Sequence, residues 1–450
     1  MESPGGKLEE LRGQTYFDQG DDAKALKMFK KALARDPADP ETHYGLGVLY
    51  EGQAQYAEAL QAFTRVVDLV PTSSVGYEKR GDVYAALEQY AEAKKDLDRA
   101  LKLDPNDVFA HVSRALVSEA EEDYIAALKD YDEVIRLEPD QADGYTRRGS
   151  LLISLSGYDW ALRSFNQAIN LDHNDSEAWT YKADALRLWA YDLKQPRKLS
   201  KALATADEAL RRNRKNPLIH AVKGAILSAL DCHSEAIEAF NKAIKFDSAD
   251  FWALKEKGKA LYRSGRYKHA FEGFCRLEKR SADFRYQAVA GQSLALRKLS
   301  QGAQAGQVLD RFSQDVSADG NDYLELARAY VEFEEWEDAT SYFLRTIQTN
   351  PSHADAHNEL AWYQAVKLNK DLEVCTAHAE LALALLPKNR SKAIYLDTLG
   401  WIWFLRGNLR KAHKYLQEAV RLLEPDMLIR HHLKKVDMEI AKSKRTDARG

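Results

Sequence analysis

Residues 41–71 read ETHYGLGVLYEGQAQYAEALQAFTRVVDLVP, and this stretch carries the features that decide the fold. Small residues stand at Gly47 and Ala59, a ring follows at Phe63, and Pro71 closes the stretch. Small residues let two antiparallel helices approach closely, while a large apolar side chain fills the space toward the next pair. Proline is tolerated in a loop or a first helical turn but not in a helix interior. The stretch therefore predicts one helical hairpin that ends before Pro71.

The same pattern returns along the chain with a period of 34 residues. The first small position recurs at Gly13, Gly47, Gly81, Ala115, Gly149 and Ala183. The second small position recurs at Ala25, Ala59, Ala93, Ala127 and Ala161, and the bulky position at Phe29, Phe63, Leu97, Tyr131 and Phe165. A fixed period of this size indicates a repeat array, in which each hairpin buries its apolar face against its neighbours.

This spacing resembles the tetratricopeptide repeat. In the second repeat the matching residues are His43, Leu46, Gly47, Tyr50, Ala59, Phe63, Val66 and Pro71. The resemblance extends over nearly the whole chain, from residue 6 to residue 426, in about twelve repeats. It implies an all-α fold: an α-solenoid in which stacked antiparallel helix hairpins form a right-handed superhelix, closed by a C-terminal capping helix.

The repeats differ from one another, which predicts a succession of segments. Repeat six has seven extra residues between Ala183 and Ala202, enough to lengthen each helix by about one turn. Repeat nine has Gln307 and Asp310 where apolar and small residues are expected. The expected segments are regular acidic repeats one to five (6–175), the extended repeat six (176–216), repeats seven to nine with a basic groove and a degenerate ninth (217–319), repeats ten to twelve (320–426), the capping helix (427–442) and a disordered tail (443–450).

Charge is distributed unevenly between the two halves of the chain. Residues 1–175 contain 20 Lys and Arg against 33 Asp and Glu, a net charge of -13. Residues 176–450 contain 45 against 36, a net charge of +9, so the sum is the formal -4. Because duplex nucleic acid is bound by a continuous basic surface, this division argues against one extended nucleic-acid-binding face.

Features of secreted and membrane proteins are missing from the sequence. The three cysteines, Cys232, Cys275 and Cys375, lie far apart and form no disulfide framework. No apolar run approaches the roughly 18 residues of a transmembrane helix. The first residues, MESPGGKLEELRG, have neither the basic nor the apolar segment of a secretory signal. We therefore expect a cytoplasmic protein without a membrane span.

The resemblance implies that the first helix of each repeat lines a concave groove, and this gives candidate binding residues. The acidic part of the groove would contain Tyr44, Glu78, Asp82, Phe109, Glu119 and Asp184. The basic part would contain Trp252, Lys255, Lys259, Tyr262, Arg263, Arg285 and Arg328. Aromatic and arginine side chains are common anchors of interfaces, and opposite charges steer encounter. The alternative for both parts is ordinary solvated surface, and for Trp401 and Phe404 it is burial under the capping helix.

The residues offer no chemistry of catalysis. The glycines form no phosphate-binding loop, and no nucleophile stands beside a base. His353 and His357 are four residues apart, a spacing that suits a metal on a helix, but His357 occupies the aromatic packing position. Cys375 occupies the small packing position, three residues before His378. We expect no catalytic residue, no metal and no cofactor, and a protein that is not an enzyme.

The sequence thus predicts a scaffold or adaptor that binds segments of partner proteins, not a small-molecule substrate. An alternative is a regulatory subunit that holds and inhibits or activates a separately encoded enzyme or effector subunit. A third alternative is single-stranded nucleic-acid binding, with Trp252 and Tyr262 stacking on bases. The sequence does not distinguish the first two, and it does not identify the partner.

Overall fold

The computed structural model describes residues 4–314, 320–387 and 391–447. Over these ranges the regular secondary structure consists of 25 α-helices, arranged as consecutive antiparallel hairpins. The fold is an all-α solenoid of stacked hairpins, as the period of the sequence predicts. The chain divides into two compact units, Met1–Leu151 and Leu152–Gly450, called here the N-terminal unit and the C-terminal unit.

The N-terminal unit holds the first four repeats and the beginning of the fifth. Its helices are α1 (Pro4–Asp18), α2 (Asp22–Arg35), α3 (Pro40–Gly52), α4 (Tyr56–Leu69), α5 (Ser74–Ala86), α6 (Tyr90–Leu103), α7 (Val108–Ala120), α8 (Tyr124–Leu137) and α9 (Ala142–Ser154), the last of which contains the boundary between the units.

The C-terminal unit continues the alternation of first and second helices. Its helices are α10 (Tyr158–Leu171), α11 (Ser176–Asp192), α12 (Arg197–Arg212), α13 (Pro217–Ala229), α14 (His233–Phe246), α15 (Phe251–Arg263), α16 (Tyr267–Arg280), α17 (Arg285–Lys298), α18 (Gly302–Ser313), α19 (Asn321–Glu332), α20 (Trp336–Thr349), α21 (Ala354–Val366), α22 (Leu372–Leu385), α23 (Ala393–Leu405), α24 (Leu409–Leu422) and α25 (Met427–Asp447). None of the described helices combines the length and the apolar character needed to cross a membrane.

Local sequence sets where each helix begins. Asp39, Ser73 and Asp107 precede three first helices, and each side chain accepts a hydrogen bond from the backbone N–H three residues later. Such caps satisfy donors that the first helical turn leaves unpaired. These three capping residues are 34 positions apart, so here the repeat of the sequence becomes a repeat of helix starts.

Packing within the hairpins depends on glycine facing an aromatic ring. A Cβ atom on Gly13 would lie 2.6 Å from the ring of Phe29, and one on Gly45 of the next repeat would lie 2.8 Å from the same ring. Phe274 lies in the same way between Gly258 and Gly291. The small positions therefore accommodate the ring of the second helix, and the ring joins two successive hairpins.

Repeats six and nine depart from the regular hairpin. In repeat six, α11 has 17 residues and α12 has 16, against 13 and 14 in α3 and α4. Six of the seven inserted residues thus lengthen the two helices toward the turn, and the seventh lies in the turn itself. In repeat nine, α18 has 12 residues and buries only Ala305 and Phe312. The last residues assigned to this repeat, 315–319, lie outside the described ranges.

The C-terminal helix differs from the expectation. The sequence placed a capping helix at 427–442 and a disordered tail at 443–450, whereas α25 continues to Asp447. Residues 443–447 contain no proline or glycine, so nothing in them interrupts the helix. Residues 448–450 lie outside the described part of the chain. The start of α25 also contacts the first hairpin of the C-terminal unit, where the backbone N–H of Met427 donates to the Ser156 carbonyl at 3.1 Å.

Candidate protein-binding surfaces

The first helices of the N-terminal unit bring acidic side chains together. The Lys79 ammonium lies 3.0 Å from a Glu78 oxygen and 3.2 Å from an Asp82 oxygen. Tyr44 and Glu51 of the preceding first helix interact electrostatically with the same charges. Two carboxylates therefore contact one lysine and a third lies within electrostatic range of it, so acidic groups outnumber the lysine. Burial and the neighbouring Asp82 raise the pKa of the Glu78 carboxyl to about 7.

Exposed apolar side chains lie on the same set of helices. Phe109 is 74% exposed and Val75 is 44% exposed, although both are large hydrophobic residues. They occupy the second position of α7 and of α5, one repeat apart. We call Tyr44, Glu51, Val75, Asp82 and Phe109, together with the buried Glu78, the acidic surface. It combines negative charge with apolar side chains available for contact, which is the composition of a site for a basic, partly apolar segment.

Two residues expected in the acidic groove are engaged elsewhere. A Glu119 oxygen accepts a hydrogen bond from the Tyr131 hydroxyl at 2.5 Å, which ties the end of α7 to α8. Asp184 belongs to the C-terminal unit, where it accepts from Arg187 Nε at 2.7 Å. Both carboxylates thus support the hairpins in which they lie.

Carboxylates surround the two groove lysines of repeat eight. The Lys255 ammonium lies 2.8 Å from a Glu332 oxygen and 3.3 Å from a Glu256 oxygen, and Lys255 itself is buried. The Lys259 ammonium lies 3.1 Å from Glu256 and 3.3 Å from Glu332. From the sequence, these lysines were expected to be free basic groups of a groove. In the structure their charge is neutralised, because α19 places Glu332 beside α15.

The other residues of repeat eight also contact the end of α19 and the turn that follows it. The Tyr262 hydroxyl donates to Glu335 at 3.3 Å, and Arg263 lies 3.8 Å from Glu334. No sequence pattern singles out Glu332, Glu334 or Glu335, and the position of the latter two at a hairpin turn predicts solvated side chains. Their role depends on the proximity of α15 and α19, which belong to repeats eight and ten. A sequence pattern within one repeat does not predict such a contact.

Three further candidates of the basic groove occupy separate places. Arg328 lies 2.6 Å from a Glu359 oxygen and 2.8 Å from a Glu325 oxygen. The guanidinium of Arg285 lies 5.5 Å from the centre of the Phe312 ring. Trp252 packs against the apolar core that runs from repeat seven to repeat eleven. The structure therefore brings together Lys255, Lys259, Tyr262 and Arg263, while Arg285, Arg328 and Trp252 have other contacts.

The apolar end of repeat twelve is covered by α25. Trp401 is buried, with its ring 4.1 Å from the His432 ring and 4.8 Å from the Phe404 ring. His432 Nδ1 is 2.8 Å from an Asp397 oxygen, so α25 is fixed on α23 by a polar pair beside the rings. Of the two interpretations open for Trp401 and Phe404, the structure supports burial under the capping helix.

The histidines and the cysteine of repeat eleven have packing contacts. His357 Nε2 lies 3.1 Å from the Pro351 carbonyl oxygen, and its Nδ1 lies 2.8 Å from His378 Nδ1. Cys375 is buried in the core next to Ala361 and Leu399. Within the part of the chain that the structure describes, no group of three or more His, Cys, Asp and Glu side chains is arranged to hold a metal ion.

Solved structures similar to this chain share its helical hairpins at low identity. A tetratricopeptide repeat protein from Parabacteroides merdae is 19% identical, over 58% of this chain and 100% of that chain, with a TM-score of 0.48. The human IFIT1 dimer with PPP-AAAA is 16% identical, over 94% and 91%, with a TM-score of 0.42. YrrB, described as a TPR protein with an unusual peptide-binding site, is 21% identical, over 44% and 99%, with a TM-score of 0.34. Likeness at this level carries no information about partners.

Family models match four segments of the chain. A model described as TPR repeat matches residues 13–54. Models described as tetratricopeptide repeat match residues 41–73, 75–107 and 324–389. No curated protein matches the chain. The matched segments lie in both units and coincide with hairpins of the solenoid, so the chain contains tetratricopeptide repeats.

Proposed function

We propose that this protein is a scaffold or adaptor that binds a basic segment of a partner protein on the acidic surface of its N-terminal unit. Tetratricopeptide repeats generally serve protein interaction, and this chain consists of them nearly from end to end. The observation that carries the more specific proposal is that Glu78 and Asp82 both contact one ammonium, that of Lys79, while Glu51 is close enough to interact electrostatically with Lys79 and Asp82. A partner lysine or arginine would relieve that excess of negative charge.

Phe109 supplies the second half of the proposed recognition. Its ring is largely exposed near the start of α7, the first helix that follows α5 in the stack, so an apolar side chain of the partner gains burial by covering it. Charge alone would give weak and salt-sensitive binding, whereas an aromatic anchor adds affinity that does not depend on salt. The expected partner segment is therefore basic with at least one large apolar residue.

The test is a binding titration with the full chain. A fluorescein-labelled peptide of lysines and leucines is titrated, and its anisotropy reports binding. Phe109→Ala and Asp82→Asn should each weaken binding by about 5-fold or more, since interface anchors are worth at least about 1 kcal/mol. Ile125→Ala is the matched control, because Ile125 is also an exposed apolar residue but lies on the second helix α8. Equal effects of Phe109→Ala and Ile125→Ala would refute the proposed site.

The basic residues of repeat eight are a second candidate binding surface, but their internal carboxylate partners would have to be displaced. An acidic partner that reaches Lys255 and Lys259 must displace Glu332 or Glu256 from them. Such exchange of one carboxylate for another is possible at Lys259 and Arg263, which are less buried than Lys255. Charge reversal of Lys259 and Arg263 that abolishes capture of an acidic partner, with unchanged circular dichroism, would support this surface. Unchanged capture would remove it.

A regulatory subunit remains the alternative to an adaptor. It should co-purify with one enzyme or effector subunit in fixed stoichiometry and change its activity, whereas an adaptor should bind short segments reversibly. Affinity purification of the intact chain with quantitative mass spectrometry distinguishes them. Base stacking on Trp252 and Tyr262 has less support, because Trp252 packs on the core and Tyr262 is buried.

A further inference from the structure

The long hairpin of repeat six carries a dense group of positive charges. Between Leu193 and Asn216 the chain has eight Lys and Arg residues and two acidic residues. The acidic residues are Asp207, which pairs with Lys223, and Glu208, which pairs with Arg211 and Arg212. Basic residues that have no ion pair within the described part of the chain are Lys194, Arg197, Lys198, Lys201, Arg214 and Lys215.

Two tryptophan rings of α11 each contact cations of this hairpin. The Lys198 ammonium lies 3.3 Å from the centre of the Trp189 ring near the hairpin turn. Toward the base, the Lys182 ammonium and the Arg212 guanidinium lie 4.8 Å and 4.4 Å from the centre of the Trp179 ring. Cation–ring contacts of this kind fix the side chains without neutralising their charge. The hairpin therefore presents positions of positive charge that are already ordered.

The charge of Lys182 is uncompensated because repeat six lacks the acidic partners that an earlier repeat has at the equivalent positions. At the equivalent position, Arg114 pairs with Asp98 of the preceding repeat and Asp130 of its own. The corresponding positions beside Lys182 hold Asn166 and Thr205. Burial and the like charge of Lys201 accordingly lower the pKa of the Lys182 ammonium, and the same two causes lower the pKa of Lys198.

The lysines of repeat six differ from those of repeat eight because no internal carboxylate of the described residues neutralises them. Glu256 and Glu332 neutralise Lys255 and Lys259 within the fold, and they raise the pKa of Lys255. Around Lys182, Lys198 and Lys201 the neighbouring charges are of the same sign. A carboxylate supplied from outside would gain most where no internal carboxylate competes.

We propose that the hairpin of α11 and α12 is a docking surface for an acidic segment of a partner protein, rich in Asp and Glu. Lys201 interacts electrostatically with both Lys182 and Lys198, and none of the three has an ion pair among the described residues that a partner carboxylate would have to displace. Nucleic-acid bases fit less well, because cations already cover the faces of Trp179 and Trp189 on which bases would stack. This surface is separate from the acidic surface of the N-terminal unit and binds the opposite charge.

The test compares two charge reversals of equal size in the full chain. A fluorescein-labelled oligoglutamate peptide is titrated at low salt, and anisotropy reports binding. Arg197→Glu with Lys201→Glu, both exposed and unpaired among the described residues, should weaken binding by about tenfold or more. Lys242→Glu with Lys245→Glu, exposed on α14, changes net charge equally and should weaken it by less than about twofold. Equal loss in both variants would show a net-charge effect and overturn the proposal, as would no loss in either.

Two further measurements decide between occupants. A labelled oligothymidylate that binds more tightly than oligoglutamate, with loss in the hairpin variant alone, would overturn a protein segment in favour of nucleic acid. Sedimentation velocity tests whether a second copy of this chain occupies the hairpin. The unmodified chain should show no concentration-dependent association, and association that the hairpin variant abolishes would overturn the proposal in favour of a second copy. The hairpin variant should bind the basic peptide as the unmodified chain does. Failure of the hairpin proposal is therefore distinguishable from failure of the proposed function.

Discussion

Arg430 in α25 forms a two-point ion pair with Asp159 in α10, although 271 residues separate them: its Nη2 lies 2.6 Å from one carboxylate oxygen and its Nη1 3.2 Å from the other. The Arg430 guanidinium also lies 5.3 Å from the centre of the Trp160 ring. Beside this pair, Gly157 leaves no room for a side chain, since a Cβ atom would lie 2.9 Å from the Pro425 carbonyl oxygen. The last helix of the C-terminal unit is thus held on the first hairpin of the same unit.

Removing this ion pair should loosen α25. Arg430→Ala leaves Asp159 unpaired and weakens the docking that protects the Met427 amide, which donates to Ser156. Hydrogen exchange in the first turns of α25 should accelerate by about 5-fold to 30-fold, which corresponds to about 1–2 kcal/mol for a partly buried pair. Lys434→Ala, an exposed cation on the same helix, is the control and should leave exchange unchanged. Identical exchange in the Arg430 variant would mean that the pair does not hold the helix.

Two glycines of one hairpin should respond to alanine in opposite directions. Gly258→Ala places a methyl group 2.6 Å from the Phe274 ring and should lower the free energy of unfolding by about 1–3 kcal/mol through overpacking. Gly273 lies inside α16 with nothing within 4 Å of an added Cβ, so Gly273→Ala should raise stability by about 0.5–1 kcal/mol. Urea unfolding followed by tryptophan fluorescence measures both. A stabilising Gly258→Ala would contradict the packing described for the ring.

The stability of the N-terminal unit should fall as the pH rises through neutrality. The folded pKa of Glu78, about 7, lies above its ordinary value of 4.5, so the folded chain holds this proton more tightly than the unfolded chain. The contribution is favourable at low pH and is lost between about pH 5 and pH 8. Thermal unfolding by circular dichroism should show Glu78→Gln gaining stability relative to the unmodified chain across that window. A constant difference across the window would remove Glu78 as the cause.

The groove of repeat eight should depend on a residue two repeats away. Glu332→Gln removes a carboxylate from both Lys255 and Lys259, and Lys255 is too buried for water to replace it. The expected loss is about 1–3 kcal/mol in urea unfolding. Glu337→Gln, on the outer second helix α20, is the control for removal of one carboxylate. Unchanged stability in the Glu332 variant would indicate that these contacts add nothing to the fold.

The hairpin fold can be predicted from the sequence because the residues that pack each hairpin lie within one repeat. Gly47 and Phe63 meet within one hairpin, so a period of 34 residues reports them directly. The acidic surface was accessible to the same reasoning, since Glu78 and Asp82 lie one turn apart on α5. The pairing of Lys255 with Glu332 was not, because it depends on how closely α15 and α19 approach. Local periodicity predicts contacts between neighbouring hairpins. Contacts between repeats further apart depend on how the rotations between successive hairpins add up along the stack.

Binding of a basic segment to the first helices of the N-terminal unit can be mapped without any substitution. The measurement is hydrogen exchange of the full chain with and without a saturating lysine–leucine peptide. We expect slower exchange confined to α3, α5 and α7, the helices that carry Tyr44, Glu78 and Phe109. Slower exchange confined to the C-terminal unit, or none at saturation, would contradict it.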